Sequence, residues 1–195
     1  MEKQQKAQKS QKRQTIMDAA YRCFLRNGVQ KTSIDEIVQE ANVAKGTFYL
    51  YFKDKADLSQ QLFITTSCHV ILQAFRALTP EERADYDRMI VGFADNIFDY
   101  FIANQPVLLL LGRNFVWPRL ESLSQAADAE LAQVRDSLLR NPHHPENDRE
   151  TNFKYLYSIV VLCGEVGYSS IVHQQPDTIE NMKPVLYEII RRIVH

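Results

Sequence analysis

The segment from Thr32 to Leu58 constrains the fold of this chain more than any other, because two short helical patterns flank a three-residue turn in it. Ser33 stands at the start of the first pattern and Glu36 follows three residues later, which predicts a capping box. Apolar residues then recur at helical spacing, which predicts one buried side. These residues are Ile34, Ile37, Val38 and Ala41. Residues 42–44 form the turn.

The second pattern, from Lys45 to Tyr51, is too short to be a stable helix by itself in water, so packing must hold it. We expect Val43, Phe48 and Phe52 to point inward. The residues left outside are a cation, a position without a side chain, a small hydroxyl and two phenols: Lys45, Gly46, Thr47, Tyr49 and Tyr51. This mixture suits phosphates and base edges at close range. The segment therefore predicts a helix-turn-helix that places a short helix in the DNA major groove.

Two features beside this helix each have two interpretations. Glycine inside a helix costs about 0.5–1 kcal/mol relative to alanine. At Gly46 this cost could be offset either by close approach of the backbone to DNA or by tight packing on the preceding helix. Lys53 and Lys55 flank the start of the next helix. They predict a phosphate clamp, or else a solvated, charged helix start.

Residues from about Ile16 to Leu62 resemble the DNA-binding domain of the TetR family of bacterial transcriptional regulators. The matching positions are Ile16, Ala19, Ala20, Phe24, Gly28, Thr32, Ile34, Ile37, Ala41, Val43, Lys45, Gly46, Thr47, Tyr49, Phe52, Lys55 and Leu58. The resemblance implies that Lys45, Thr47 and Tyr49 contact DNA. It also implies contacts mostly to phosphates from Thr32, Ser33, Tyr51 and Lys55. Ala44 departs from the usual capping serine or threonine, and Tyr51 from a common histidine.

The rest of the chain predicts an all-α fold of about nine helices. Residues 1–54 would form a basic arm and a three-helix DNA-binding domain, and residues 55–195 a helical effector-binding and dimerisation domain. Gly28 and the Thr79-Pro80 pair predict two helix ends. The predicted helices outside the helix-turn-helix are Lys12–Asn27, Lys55–Leu78, Asp85–Asn104, Pro106–Phe115, Pro118–Arg140, Arg149–His173 and Thr178–Val194.

Charge is unevenly distributed along the chain, although the net charge is only −1. Residues 1–60 contain eleven Lys or Arg and seven Asp or Glu, whereas residues 61–195 contain twelve and seventeen. The basic end therefore carries the helix-turn-helix. The arm before residue 14 is rich in Lys and Gln, so we expect it to be poorly ordered without DNA. It either contacts DNA or only aids solubility.

Other classes of function receive little support from the sequence. No apolar run approaches the ~18 residues of a membrane span, and no signal peptide begins the chain, so a cytoplasmic location is expected. Cys23, Cys68 and Cys163 are too few and too widely spaced for a disulfide framework or a zinc site. The five histidines are scattered, and no phosphate-binding glycine loop occurs. We therefore expect no enzyme, metal site or cofactor.

The last two helices predict a homodimer. Apolar residues cover nearly the whole circumference of the segment from Tyr155 to Val172, which is more than one buried face requires. The resemblance implies that the two helices pair with those of a second copy in a four-helix bundle. The predicted interface residues are Gly164, Val166, Gly167, Ile171, Leu186, Ile189, Ile190 and Ile193. Two-fold pairing would double the interface on a palindromic operator.

Aromatic residues between these helices and the Lys55–Leu78 helix could line an apolar ligand pocket or form ordinary core. The candidate pocket residues are Phe93, Phe98, Phe101, Arg113, Trp117 and Tyr155. The resemblance implies a repressor that a small, partly apolar molecule releases from its operator. Control by a protein partner is the alternative, and a filled core in the second domain would favour it.

Overall fold

The computed structural model describes residues 2–112 and 129–195, with side chains from residue 8 onward outside the gap. This part of the chain contains ten helices and no strand. They are α1 Glu2–Asn27, α2 Ile34–Glu40, α3 Lys45–Tyr49, α4 Lys55–Arg76, α5 Pro80–Ala84, α6 Tyr86–Ala103, α7 Gln105–Leu111, α8 Ala129–Leu139, α9 Arg149–Val172 and α10 Ile179–Val194. The all-α prediction is confirmed. The chain divides into two compact units, the first ending at Thr65 and the second beginning at Thr66, inside α4.

The first unit is built on the buried side of α1, which consists of Ile16, Met17, Ala19, Ala20, Cys23 and Phe24. The helix ends as predicted, because Gly28 takes φ +78° and its amide donates to the carbonyl of Phe24 at 2.9 Å. Its start was predicted wrongly. The helix begins at Glu2 rather than near Lys12, because the Lys, Gln and Ala residues of the arm are good helix formers that extend an already nucleated helix.

The second unit is centred on α6, which packs against α9, α10 and α7. Its buried residues include Met89, Ile90, Phe93, Ile97, Phe98 and Phe101. Thr79-Pro80 ends α4 as predicted but also begins the short helix α5, where Thr79 and Glu82 form a capping box. That helix was not predicted. Of the predicted Pro118–Arg140 helix, residues 129–139 are helical and residues 118–128 lie outside the described part of the chain.

One described helix, α9, is long and apolar enough by length and composition to cross a membrane. The sequence has no uninterrupted apolar run of that length, but the mean hydropathy of this helix still reaches the level of a membrane span. A core helix of a water-soluble bundle passes the same test, and α9 packs against α6, α8 and α10. Its apolar character is accounted for in part by this packing.

Candidate functional site

The start of α2 is fixed by the predicted capping box. The hydroxyl of Ser33 accepts a hydrogen bond from the Glu36 amide at 3.1 Å, and the Glu36 carboxylate accepts from the Ser33 amide at 2.7 Å. The hydrogen bonds from Ser33 hold the pKa of Glu36 below its usual value. Ser33 is exposed at this helix start, next to the turn that leads to α3.

Thr32, predicted as a phosphate contact, faces the interior instead. Its exposed fraction is 1%, and its hydroxyl donates to the carbonyl of Gly28 at 2.9 Å. The carbonyl of Cys23 also lies within hydrogen-bond distance of that hydroxyl. The side chain of Thr32 therefore ties the end of α1 to the start of α2, and we remove it from the DNA contacts.

Two aromatic side chains hold the five-residue helix α3 on the first unit. Phe48 and Phe52 are buried, as predicted, with ring centroids 5.6 Å apart, and the Arg13 guanidinium lies 5.5 Å from the Phe52 ring centroid. Val43 is half-buried. The side chain of Ala44 offers no cap, as predicted, and the amide of Thr47 donates to the Ala44 carbonyl at 2.8 Å.

The outer face of α3 is open at its centre. Tyr49 is 53% exposed, Lys45 and Gly46 are exposed, and Thr47 and Tyr51 are half-buried. A Cβ added at Gly46 would meet no other atom within 4 Å. Tight packing on the preceding helix therefore cannot explain this glycine. The space over Gly46 is free for a ligand that approaches the backbone closely.

Lys45 forms an ion pair with Asp35 in the first turn of α2, with Nζ 2.8 Å from Oδ1. The hydrogen bond to Asp35 raises the pKa of Lys45. Both side chains are more than half exposed, and such surface pairs contribute about 0–1 kcal/mol. Lys45 can therefore exchange this carboxylate for a phosphate at little cost.

Lys55 does not act as the predicted phosphate clamp in this structure. Its ammonium donates to three backbone carbonyls between α1 and α2: Val29 at 3.0 Å, Gln30 at 3.3 Å and Thr32 at 2.9 Å. An ammonium has three donors, so these carbonyls occupy all of them. Lys53, two residues earlier, is exposed and remains a candidate for a phosphate contact.

The sequence analysis did not identify Leu50 as an outward residue beside α3. It follows Tyr49 directly and is 74% exposed, more than any other large apolar side chain in the described part of the chain. Its position between Tyr49 and Tyr51, both predicted to point outward, could have indicated this exposure. An exposed leucine beside the open face of α3 could contact a thymine methyl group in the major groove.

The predicted ligand residues are mostly core. Phe93, Phe98 and Phe101 are at most 3% exposed, and Phe93 borders an apolar cavity of only about 20 Å³. Such a cavity has room for about one water molecule. Tyr155 is 41% exposed and its ring stacks on His144. Arg113 and Trp117 lie outside the described residues.

A larger groove lies elsewhere in the second unit, with a volume of about 870 Å³. Its described walls combine apolar side chains with arginines and a carboxylate. They include Phe75, Arg83, Tyr86, Met89, Gln133, Asp136, Ser137 and Arg140. This volume falls in the range of about 300–1,000 Å³ typical of small-molecule sites.

Three of the predicted dimer residues are buried within the chain itself. Leu186 and Ile190 are at most 1% exposed, and a Cβ at Gly167 would lie 2.9 Å from the ring of Phe98. These residues pack inside the second unit, so they were assigned to the wrong surface. The other predicted residues are half-buried: Gly164, Val166, Ile171, Ile189 and Ile193. Beside them, Tyr157, Val161 and Val185 are about half exposed.

Comparison with known proteins identifies the helix-turn-helix domain of this chain. Residues 16–62 match the profile described as bacterial regulatory proteins of the tetR family. They include the second half of α1, all of α2 and α3, and the start of α4. Residues 16–62 therefore form a TetR-family DNA-binding domain. The curated proteins that it matches are described as HTH-type transcriptional regulators.

Two curated relatives show how far the sequence similarity extends. The chain is 40% identical over 63 residues to the HTH-type transcriptional regulator AcrR of Shigella flexneri, a match covering 32% of this chain and 29% of that protein. It is 29% identical over 164 residues to the regulator SAUSA300_2515 of Staphylococcus aureus, with 83% of each chain covered.

Solved structures support the same fold for both units. A tetR family transcription regulator from Shewanella sp. PV-4 gives a TM-score of 0.61 at 17% identity, covering 92% of this chain and 95% of that one. FadR of Bacillus subtilis in complex with stearoyl-CoA gives a TM-score of 0.50 at 18% identity, covering 93% and 99%.

Proposed function

We propose that this regulator reads a palindromic DNA operator as a homodimer and acts as a repressor that a small, partly apolar ligand releases. The open outer face of α3 is the observation that carries the DNA-binding part. Tyr49 projects from it, Lys45 holds only an exposed partner, and the backbone at Gly46 is uncovered. Aromatic hydroxyls, an ammonium and an accessible backbone are groups that contact base edges and phosphates.

The DNA contacts proposed are narrower than those the sequence alone implied. We assign base or phosphate contacts to Lys45, Gly46, Thr47 and Tyr49, and phosphate contacts to Ser33 and Tyr51. Lys53 takes the place of Lys55, because the ammonium of Lys55 is fully occupied by backbone carbonyls. Bacterial regulators of this kind act in the cytoplasm, where we place this one.

Exposed apolar side chains on α9 and α10 support the homodimer. Val161 on α9 and Val185 on α10 are 50% and 49% exposed, and Gly164 and Ile189 beside them are half-buried. Burying such residues against a second copy would remove apolar surface from water. The revised interface keeps Gly164, Val166, Ile171, Ile189 and Ile193 and adds Tyr157, Val161 and Val185.

The groove beside Phe75 and Tyr86 supports a small-molecule effector. Its volume of about 870 Å³ suits a ligand with an apolar body, and the arginines at positions 83 and 140 suit an anionic end. The stearoyl-CoA bound by FadR of Bacillus subtilis has this combination. Phe98 and Phe101 are tightly packed, so the site first predicted from the aromatic residues is filled core. A filled core at that site favours the alternative, control by a protein partner. The groove lies elsewhere and is not affected by this packing.

Selection from a library of random DNA duplexes tests the DNA-binding proposal. The purified chain should enrich a sequence with two inverted half-sites, because each copy of α3 contacts only a few base pairs. Fluorescence anisotropy on the enriched duplex should then give two chains per duplex. Enrichment of a sequence without two-fold symmetry, or no enrichment, would contradict the proposal.

Thermal melts with acyl thioesters and other amphipathic compounds test the effector groove. Ser137→Trp should fill the groove, whereas Asn181→Trp places the same side chain at an exposed position on α10. A compound that binds should stabilise the parent and Asn181→Trp by mass action, lower their affinity for DNA, and leave Ser137→Trp unaffected. Equal stabilisation of all three proteins would remove the groove as the effector site.

A further inference from the structure

Three side chains of residue types that can ligate metals, far apart in the sequence, meet in the second unit. Asp87 lies in the first turn of α6, His143 in the loop after α8, and His195 at the end of α10. Nε2 of His143 lies 2.7 Å from Oδ1 of Asp87, and Nε2 of His195 lies 2.8 Å from Oδ2. One such atom from each residue lies within 4.8 Å of the other two.

Hydrogen bonds next to each of these residues hold the cluster in place. Asn141 is buried, and its side chain donates to the Val194 carbonyl at 2.8 Å and accepts from the His143 amide at 2.9 Å. One buried amide therefore positions both histidines. On the other side, the hydroxyl of Tyr86 donates to the Leu138 carbonyl at 3.0 Å, which fixes the backbone beside Asp87.

We propose that Asp87, His143 and His195 form a binding site for a divalent transition metal ion of the Zn²⁺ class. Two imidazole nitrogens and one carboxylate oxygen suit Zn²⁺, Ni²⁺, Co²⁺ and Cu²⁺. Mg²⁺ and Ca²⁺ prefer sites made of oxygen ligands alone. The cluster supplies no thiolate, so it is unsuited to Cu⁺.

Little movement is required to convert this cluster into a coordination site. Ligand atoms about 2.0–2.2 Å from a tetrahedral Zn²⁺ lie about 3.3 Å from one another. The two nitrogen–oxygen pairs are already closer than this, and the three ligand atoms lie within 4.8 Å of one another, so an ion that replaces the hydrogen bonds requires only small side-chain shifts. The three side chains are 32%, 32% and 52% exposed, so an ion can enter from solvent and keep water as its fourth ligand.

A bound ion would join the start of α6, the loop at residue 143 and the end of α10 at one point. All three segments belong to the second unit, and α10 carries part of the proposed dimer surface. Metal binding would therefore stabilise this unit and hold the end of α10 in place. This inference is independent of the proposed DNA and effector functions.

Metal binding is tested on the full chain without a histidine tag, after a chelator has removed bound ions. Calorimetry should show one Zn²⁺ per chain, and Co²⁺ should give the visible absorption of a low-symmetry site. A hundredfold excess over the dissociation constant should raise the melting temperature by about 5–10 °C, and Mg²⁺ should not. No Zn²⁺ binding, or equal stabilisation by Mg²⁺, would overturn the proposal.

Single substitutions identify the ligands. Asp87→Asn, His143→Gln and His195→Gln should each weaken Zn²⁺ binding at least tenfold, whereas His144→Gln, one residue from the cluster, should bind like the parent. Melts without metal show which variants fold, and His195→Gln is the decisive one because that side chain lies at a helix end and is half exposed. Parent-like Zn²⁺ binding by folded His195→Gln would place the ion elsewhere and refute the site.

Discussion

At the scale of single residues, the first unit contains two glycines with open space around them but different backbone conformations. A Cβ would meet nothing within 4 Å at either Gly28 or Gly46, yet only Gly28 has a positive φ, of +78°. Gly28 is therefore required by the backbone at the end of α1. Gly46 has no such requirement, and the proposed close approach of DNA would account for it.

Gly46→Ala should increase the stability of the free protein and weaken its binding to DNA. Alanine favours a helix over glycine by about 0.5–1 kcal/mol, and its methyl group meets no neighbour in the free protein. Urea unfolding measures the first effect and fluorescence anisotropy the second. Gly28→Ala is the control, since strain at positive φ should lower stability. A Gly46→Ala protein that bound DNA as tightly as the parent would assign the glycine no part in recognition.

Substitutions of Lys55 and Lys53 should distinguish a lysine that stabilises the fold from one that contacts DNA phosphates. Lys55→Met keeps a long, unbranched side chain but leaves three carbonyls without their donor, so stability should fall by about 1–3 kcal/mol. Lys53→Met should leave stability nearly unchanged and reduce the salt dependence of DNA binding by about one unit of slope per subunit. If Lys55→Met were fully stable but lost that unit of slope, the original phosphate assignment would be restored.

These residues also show what sequence patterns can establish. Ser33 with Glu36, and Phe48 with Phe52, were predicted correctly because their partners lie within a few residues. Lys55 and Thr32 were not, since their partners depend on how separate segments pack: the Lys55 ammonium bonds the Val29 carbonyl 26 positions away. A lysine side chain beside a helix start can turn toward solvent or toward backbone, and local spacing does not distinguish the two.

At the scale of helices, the C-terminal ends were easier to predict than the neighbours against which each helix face packs. Gly28 ends α1 and Thr79-Pro80 follows α4 closely, because backbone restrictions act locally. The packing partners of the small residues on α9 could not be predicted in the same way. Gly167 faces Phe98 on α6, whereas Gly164 is half-buried next to exposed Val161. Both patterns are small and apolar, and only packing shows which neighbour each one has.

The exposed face of α9 gives a test of dimerisation with a control at the same position. Val161→Asp should dissociate the dimer, because burying an unpaired charge costs several kcal/mol. The side chain is half exposed in the single chain, so the second unit itself should remain folded. Val161→Thr, similar in shape and uncharged, should stay dimeric. Sedimentation velocity distinguishes the two, and a dimeric Val161→Asp protein would locate the interface away from this face.

At the scale of the whole molecule, the distribution of charge agrees with the division into two units. The basic first sixty residues include the helix-turn-helix, and the acidic remainder includes the proposed dimer surface, groove and metal site. A net charge of −1 gives no indication of a nucleic-acid partner, but its distribution does. The cluster of Asp87, His143 and His195 was missed because its residues are brought together only by the tertiary fold.

The affinity of Tyr49→Ala for the selected operator and for a scrambled duplex tests the central claim most directly. Tyr155→Ala, which removes a partly exposed tyrosine from the second unit, is the control. Loss of a base contact costs about 1–3 kcal/mol, so Tyr49→Ala in both subunits should bind the operator at least tenfold more weakly and lose most of its preference over the scrambled duplex. Tyr155→Ala should keep both. A folded Tyr49→Ala protein that preferred the operator as strongly as the parent would contradict the assignment of α3 as the recognition helix.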